Sequence, residues 1–276
     1  MSRDADIGHS LVMTTTSSPH DLRVRLSSGG EIPLVGLGTW QLRGGAARDA
    51  VGWALAAGYR HVDTATAYDN ERDVGQAIET SGVRRENLFV TTKMPAESVG
   101  RERATLERSL AALDLDYVDL WLIHWPPGGA GVRPWGEFVR ARENGLARAI
   151  GVSNYSLAQI DELTEATGAT PEVNQVRWSP SLFDPAILDG HRERGIVLEG
   201  YSPFRAGGLD HGVLLRIADA HQASAAQVVV RWHVQHEIVV IPKSARRERI
   251  VDNVDVAGLT LTEGEMRAID GLGPPA

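Results

Sequence analysis

Four residues in the first half of the chain carry side chains that together could move a proton to or from an organic oxygen: Asp63, Tyr68, Lys93 and His124. A free tyrosine hydroxyl ionises near pH ~10, too high for ready exchange at neutrality. A lysine ammonium beside it stabilises the phenolate and lowers that value. A carboxylate beside the lysine keeps the ammonium charged and oriented. Such a hydroxyl can protonate a developing alkoxide and take the proton back in reverse. A histidine within reach can hydrogen-bond a carbonyl oxygen and polarise it. The lysine is also rare here: of 28 basic side chains, 26 are Arg, and Lys93 and Lys243 are the two Lys. Arg replaces Lys freely on a solvated surface, but not where a compact ammonium is needed. Taken singly, each residue has a plainer explanation. Asp63 could cap a turn, His124 could be a satisfied structural histidine, and Tyr68 could be half-buried packing. The group is harder to explain that way, because of where its members fall along the chain.

The elements that must position them follow from the apolar pattern. Segments 22–26 and 32–35 alternate around Ser27, Ser28, Gly29 and Gly30 and read as a short hairpin. After it, strand candidates at 35–37, 61–63, 88–92, 118–123, 147–152, 173–176, 197–201 and 239–241 alternate with helix candidates. The helices are expected at 48–57, 72–80, 103–112, 135–144, 157–166, 185–194, 212–220 and 225–235, with further turns at 247–253 and 263–269. Strands that each lead into a helix imply a parallel sheet, because parallel neighbours need a crossover. Eight of them in a chain of this length favour a closed (β/α)8 barrel over an open sheet. The run Gly36-Leu37-Gly38-Thr39-Trp40-Gln41 fails the GxGxxG pattern at its last position, so a Rossmann domain is not expected.

In such a barrel all strand C-termini open at one mouth, where barrel enzymes keep their chemistry. Asp63 ends the second strand, with Tyr68 in the loop beyond. Lys93 comes directly after the third, and His124 ends the fourth. Ser153 and Asn154 follow the fifth, Gln175 lies in the sixth, Tyr201 and Ser202 end the seventh, and Lys243 and Ser244 follow the eighth.

Composition narrows the classes. The chain has 276 residues, 42% of them hydrophobic, enough to bury one large core. A net charge of −8 makes a nucleic-acid or anionic-membrane binder a poor reading. With no cysteine, disulfides, thiolate catalysis and Cys-ligated metals are excluded. No HExxH-like pattern supports a hydrolytic metal site, and no metal is expected. His233 and His236 read as cations placed at a helix C-terminus. No stretch approaches the roughly 20 apolar residues of a membrane span. Residues 1–21 lack the build of a signal peptide and read as a mobile tail, with Met13 an alternative start. The expectation is one barrel domain over 22–276, cytoplasmic and monomeric.

Several ordered motifs resemble those of the aldo-keto reductases. They are Gly58-Tyr59-Arg60-His61-Val62-Asp63-Thr64-Ala65 continuing through Tyr68-Asp69-Asn70-Glu71, then Leu122-Ile123-His124-Trp125-Pro126, Ile150-Gly151-Val152-Ser153-Asn154-Tyr155, Val173-Asn174-Gln175, Tyr201-Ser202-Pro203, and Ile241-Pro242-Lys243-Ser244 with Glu248-Arg249-Ile250 and Asn253. The resemblance implies a (β/α)8 barrel closed at its bottom by a β-hairpin, and reduction of a small carbonyl substrate by NADPH. It implies a catalytic tetrad of Asp63, Tyr68, Lys93 and His124. It also implies that Ser153, Asn154 and Gln175 hold the nicotinamide carboxamide and that Tyr201 stacks on the ring. Gly38, Thr39, Ser202 and the loop through Leu209 would line the middle of the cofactor. Lys243, Ser244 and Arg249 would take the 2′-phosphate, with Asp252 and Asn253 near the adenine. Two cations and a hydroxyl do suit a phosphate dianion. Trp40 and Trp125 would wall the substrate pocket.

The chain departs from the family pattern in places. Phe204 stands where Leu is usual, and Arg177-Trp178-Ser179-Pro180 replaces a more typical Glu-Tyr-His-Pro. The loop 126–133 is short and the chain stops soon after its last helix, which implies an open pocket like those of bacterial diketogluconate or methylglyoxal reductases. Two other readings of the residues stay open: an NADPH-binding regulatory module, and a Schiff-base aldolase using Lys93.

Overall fold

The computed structural model of the protein describes residues 22–205 and 208–273. The expected tail 1–21 lies outside them. The first strands, β1 (Arg23–Arg25) and β2 (Glu31–Pro33), pair antiparallel with Val24 opposite Ile32. Leu22, Val24, Leu26 and Ile32 are buried and join the main core. The Ser28 N–H donates to the Glu172 carboxylate at 3.0 Å. Glu172 lies at the N-terminal entry to a barrel strand, so the hairpin lies at the end of the barrel opposite the mouth.

Eight parallel strands follow: β3 (Leu37–Gly38), β4 (His61–Asp63), β5 (Phe89–Met94), β6 (Val118–Ile123), β7 (Ala147–Ser153), β8 (Val173–Arg177), β9 (Val197–Tyr201) and β10 (Val239–Ile241). They are hydrogen-bonded in sequence order. The chain before β3 closes the ring. Gly36 N–H donates to the Val240 carbonyl at 2.9 Å, Val240 N–H to Leu34 at 2.8 Å, and Gly38 N–H to Pro242 at 3.1 Å. The expected first strand at 35–37 is therefore shared: its start bridges β10 and its end pairs with β4.

The strands sit between an interior and a helical shell, which is why β5 and β6 are buried along their whole length. Helices α1 (Gly45–Ala56), α2 (Glu71–Thr80), α3 (Glu102–Leu113), α4 (Val132–Glu143), α5 (Leu157–Thr167), α6 (Pro185–Glu193), α7 (Gly212–His221) and α8 (Ala225–Gln235) form that shell, and α9 (Arg247–Val254) and α10 (Glu263–Asp270) complete the chain. Local chemistry settles ambiguous segments. Val228, Val229 and Val230 favour a strand by type. They are helical because Ser224 and Gln227 form a reciprocal capping box that starts α8, and because residues 228–234 are all buried. Ser156 with Gln159 starts α5 in the same way, and Gly168 ends it in the left-handed region. A second apolar cluster built on Trp178, Phe183 and Trp232 packs α7, α8 and α10 against the barrel.

Two expectations need correction. Lys93 is not beyond the third barrel strand but inside it, with none of its surface exposed. A strand buried on both faces can carry a lysine inward if a carboxylate meets it. His233 is not a helix-terminal cation either. It is fully buried, donates through Nδ1 to the Val229 carbonyl, and burial lowers it to about 4, so it is neutral at pH 7. His236 does sit at the end of α8, 2.8 Å from Asp270.

Gly36 is required by the closure. A Cβ there would lie 2.6 Å from Nδ1 of His61 and 3.0 Å from Ile241. Gly36→Ala is expected to destabilise the protein by about 1–3 kcal/mol, as overpacking does. Urea denaturation checks this, and an unchanged midpoint would count against the closure as described.

Candidate active site

The mouth opens into a cleft of about 690 Å³. At its floor Lys93 Nζ donates to both oxygens of Asp63, at 2.7 and 2.6 Å, and to the Thr64 carbonyl at 2.8 Å. The pairing follows from register: Asp63 lies opposite Thr91 on β5, so Lys93 comes up two residues later on the same inward face. Gln175 donates to Asp63 from the far side of the barrel at 2.9 Å. Burial works against both charges. Desolvation would lower Lys93, but Asp63, by charge and by hydrogen bond, leads the influences that raise it, so it stays an ammonium. Thr66 accepts no freedom of position: its hydroxyl donates to the Lys93 carbonyl at 2.9 Å and fixes the short helical turn that presents Tyr68.

The Tyr68 ring lies 5.1 Å from Lys93 Nζ, and its centroid lies 5.6 Å from that of His124, edge to face. Burial raises the Tyr68 hydroxyl above its ordinary value, and Lys93 is the largest opposing influence. A lysine beside a tyrosine is expected to lower it. Lys93 does act in that direction, but desolvation wins, so Tyr68 holds its proton at neutral pH. His124 is pushed down to about 3, first by burial and then by Lys93. Its imidazole is neutral and can donate to an oxygen without competing for the tyrosine's proton.

Beside this group, polar side chains converge from three strand ends. Ser153 Oγ donates to the Gln175 carbonyl at 2.8 Å, Asn154 Nδ2 to Ser153 Oγ at 2.9 Å, and the Tyr201 hydroxyl to Asn154 Oδ1 at 2.9 Å. Asn154 and Ser202 hold φ of 64° and 57°, and Gln41 and Asp69 on neighbouring mouth loops hold 63° and 55°. Non-glycine residues in this region are uncommon and gather at functional sites.

Of the residues singled out from sequence, Gly38, Trp40, Asp63, Tyr68, His124, Trp125, Ser153, Asn154, Gln175, Tyr201, Ser202 and Lys243 line one cleft. Trp40 and Trp125 are 43% and 52% exposed, apolar rings open to whatever enters. Others lie elsewhere. Thr39 is buried, and its hydroxyl donates to the Asp63 carbonyl at 2.9 Å, so it fixes a strand end. Leu209 packs with the second apolar cluster. Ser244 is buried and accepts from the Arg246 N–H at 3.0 Å. Asp252 accepts from Ser224 at 2.8 Å, tying α9 to the start of α8, and Asn253 is buried beneath. Arg249 is exposed on α9.

Three contributors escaped the sequence argument. Asn70 donates to the Thr39 and Leu42 carbonyls and accepts from Thr64, binding two mouth loops together. Arg177 and Arg205 bring further positive charge to the cleft, and Arg205 lies 5.1 Å over the Trp40 ring. Arg177 had a signal: it shares the inward face of β8 with Gln175, two residues earlier. Among the described residues, no group of three or more His, Asp or Glu could hold a metal ion, and no helix is long and apolar enough to cross a membrane.

A closed parallel barrel with a cleft over a buried ion pair and a tyrosine is the architecture of a barrel enzyme. Residues 34–274 match the Aldo/keto reductase family, and the chain belongs to that family of oxidoreductases. It is similar to a glyoxal reductase of Bacillus subtilis (strain 168), 42% identical over 253 residues, which span 90% of this chain and 92% of the relative. Among solved structures it is similar to an aldo/keto reductase from Brucella melitensis, with a TM-score of 0.88 and 38% identity over 91% of this chain and 98% of the other. A Bombyx mori aldo-keto reductase in complex with NADP gives a TM-score of 0.85 and 34% identity, over 91% and 92%.

The Asp63–Lys93 pair is isolated enough to test by substitution. Removing one member of a buried pair leaves the other uncompensated and costs about 3–5 kcal/mol. Lys93→Met is expected to lose stability on that scale and all activity. Asp63→Leu combined with Lys93→Met should recover much of the stability and none of the activity. Denaturant unfolding of the two singles and the double checks this; strictly additive losses would refute the coupling.

Proposed function

We propose that this chain reduces aldehydes and ketones to alcohols with NADPH, with Tyr68 as the general acid. The observation that carries the reading is the stack of Asp63, Lys93 and Tyr68, with the neutral His124 ring edge to face with the Tyr68 ring. The surroundings fit a dinucleotide. Amide and hydroxyl groups of Ser153, Asn154 and Gln175 suit a carboxamide, and the half-buried Tyr201 ring suits stacking. Gly38 lines the cleft where the chain passes close to the end of β10: a Cβ there would lie 2.8 Å from the Ile241 carbonyl. Lys243 and Arg249, both exposed, would hold the 2′-phosphate. Bound there, NADPH supplies a hydride to the carbonyl carbon.

The chain's own part is positional and electrostatic. Trp40 and Trp125 flank the substrate and exclude water from its apolar side. His124 donates a hydrogen bond to the carbonyl oxygen. As negative charge grows on that oxygen, the Tyr68 O–H gives it a proton, and Lys93 beneath stabilises the resulting phenolate. Asp63 keeps Lys93 charged and in place. The same geometry argues against an aldolase. Attack by Lys93 on a carbonyl needs a free amine, whereas Nζ is charged and gives three hydrogen bonds at 2.8 Å or less.

Tyr68→Phe is expected to lower kcat about 10²–10⁴-fold with NADPH affinity unchanged. Tryptophan-fluorescence titration and nicotinamide absorbance with a panel of small aldehydes measure both. Near wild-type turnover in Tyr68→Phe would overturn the assignment, and binding without turnover in the wild type would favour a regulatory module. Arg249→Ala should raise the Kd for NADPH about tenfold or more and leave that for NADH unchanged, as loss of a charged hydrogen bond requires.

A further inference from the structure

Glu199 lies near the middle of β9, between Leu198 and Gly200, with its side chain wholly buried. Its Oε1 is 3.7 Å from Nε2 of His61 on β4. Strands β9 and β4 are not neighbours in the sheet, so a contact between them passes through the barrel interior. Neither carboxyl oxygen has a hydrogen-bond partner. Gln175, opposite it on β8, gives its closest hydrogen bond to Asp63 at 2.9 Å, and its amide favours the Glu199 carboxylate less than burial and Asp63 oppose it. His61 meets Thr91 of β5 at 3.0 Å through the same Nε2, and burial holds it neutral at about 3. Val239 on β10 is apolar. The remaining charged groups that Glu199 meets are Asp63, which repels it, and Lys93, which is committed to Asp63 and Thr64.

A carboxylate with no full hydrogen bond, no uncommitted lysine and a second carboxylate nearby is a costly species in a dry interior. The neutral acid is not. Glu199 therefore keeps its proton in the resting protein. Burial first, and Asp63 second, push it up to about 8. We infer that Glu199 is a positioning residue for the reaction: protonated, it leaves the charge of Lys93 to Asp63 and Tyr68, and ionised, it draws on that charge and disables the site. The inference rests on Tyr68 being the proton donor. With Glu199 ionised, two carboxylates share one ammonium, Tyr68 loses part of the only influence opposing its burial, and it becomes a weaker acid.

The sign of the pH effect is fixed. Burial raises Asp63 and Glu71 as well, while His61 and His124 are neutral above about 3, and Tyr68 and Lys93 are raised from values already above neutrality. Glu199, without a full hydrogen bond and with Asp63 beside it, is the carboxyl pushed up to about 8. Reduction should be full below that pH and fall as it is exceeded. Stability follows the same group: its folded value lies above its unfolded one, so the wild type loses stability as pH rises from the unfolded value of about 4.5 towards 8.

The experiment compares wild type, Glu199→Gln and Glu199→Asp with NADPH and 4-nitrobenzaldehyde, each kcat/KM profile scaled to its own value at low pH. The wild type should show an alkaline limb with a midpoint about 8, falling about tenfold per pH unit beyond it. Glu199→Gln should lack that limb, and Glu199→Asp, still ionisable, should retain one. In the same series without substrate, the Tm of Glu199→Gln relative to wild type should climb as pH rises through 5 to 8.5 (about the span between the two values). A purely structural role would shift Tm equally at every pH and leave the limb in place, and that result would overturn the inference. An active Tyr68→Phe would instead remove the catalytic reading, while the Tm series would still report whether Glu199 ionises.

Discussion

A lysine ammonium with no access to water is the constraint around which the rest of this molecule is arranged. Taking such a charge out of water costs several kcal/mol, and the cost is recovered only with near-ideal partners. Here the partners are two carboxylate oxygens and a backbone carbonyl, all within 2.8 Å. Meeting that requirement fixes the register of β4 against β5, calls in Gln175 from across the barrel, and dictates that the carbonyl of Thr64 point inward. The charge then reaches outward to Tyr68 and His124. It counters burial at the tyrosine and reinforces burial at the histidine, so one site holds an acid that keeps its proton beside a donor that stays neutral.

Much of this was readable before any coordinates, for identifiable reasons. Short apolar runs alternating with helical stretches specify a parallel barrel, because parallel strands need crossovers and eight of them close. Once closure is granted, Asp63, Tyr68, Lys93 and His124 must share a mouth whatever the loop details. The misreadings have a common source: one-dimensional pattern does not report which neighbour a segment meets. Lys93 looked like the first residue of a loop, since a charge seemed to end an apolar strand; its carboxylate partner lies 30 residues away. Thr39, Ser244 and Asp252, expected along the cofactor, also hold backbone or helix ends, a second duty that pattern alone does not show. The sign of the Tyr68 shift was misjudged because desolvation depends on three-dimensional surroundings. Glu199 did leave a trace, a carboxylate inside a strand expected to be buried on both faces, but its meaning depends on what stands opposite across the barrel.

The two ends of the barrel carry different burdens. At the bottom, the hairpin and Glu172 seal the core through backbone and apolar contacts. At the mouth, backbone strain is tolerated at Gln41, Asp69, Asn154 and Ser202, and Asn70 laces two loops into one piece. Rigidity is thus supplied next to the buried ion pair by hydrogen bonds rather than by close packing, which leaves a cleft open above it.

Lys93 and Asp63 belong to strands, whereas Trp40 and Trp125 belong to loops and are largely exposed. The buried ion pair and the exposed rings at the cleft mouth are therefore separable in heredity. A lineage can lengthen, shorten or recolour the loops after β3 and β6 without disturbing the ion pair. Descendants of such a scaffold can diverge in what they accept while inheriting one unchanged piece of chemistry.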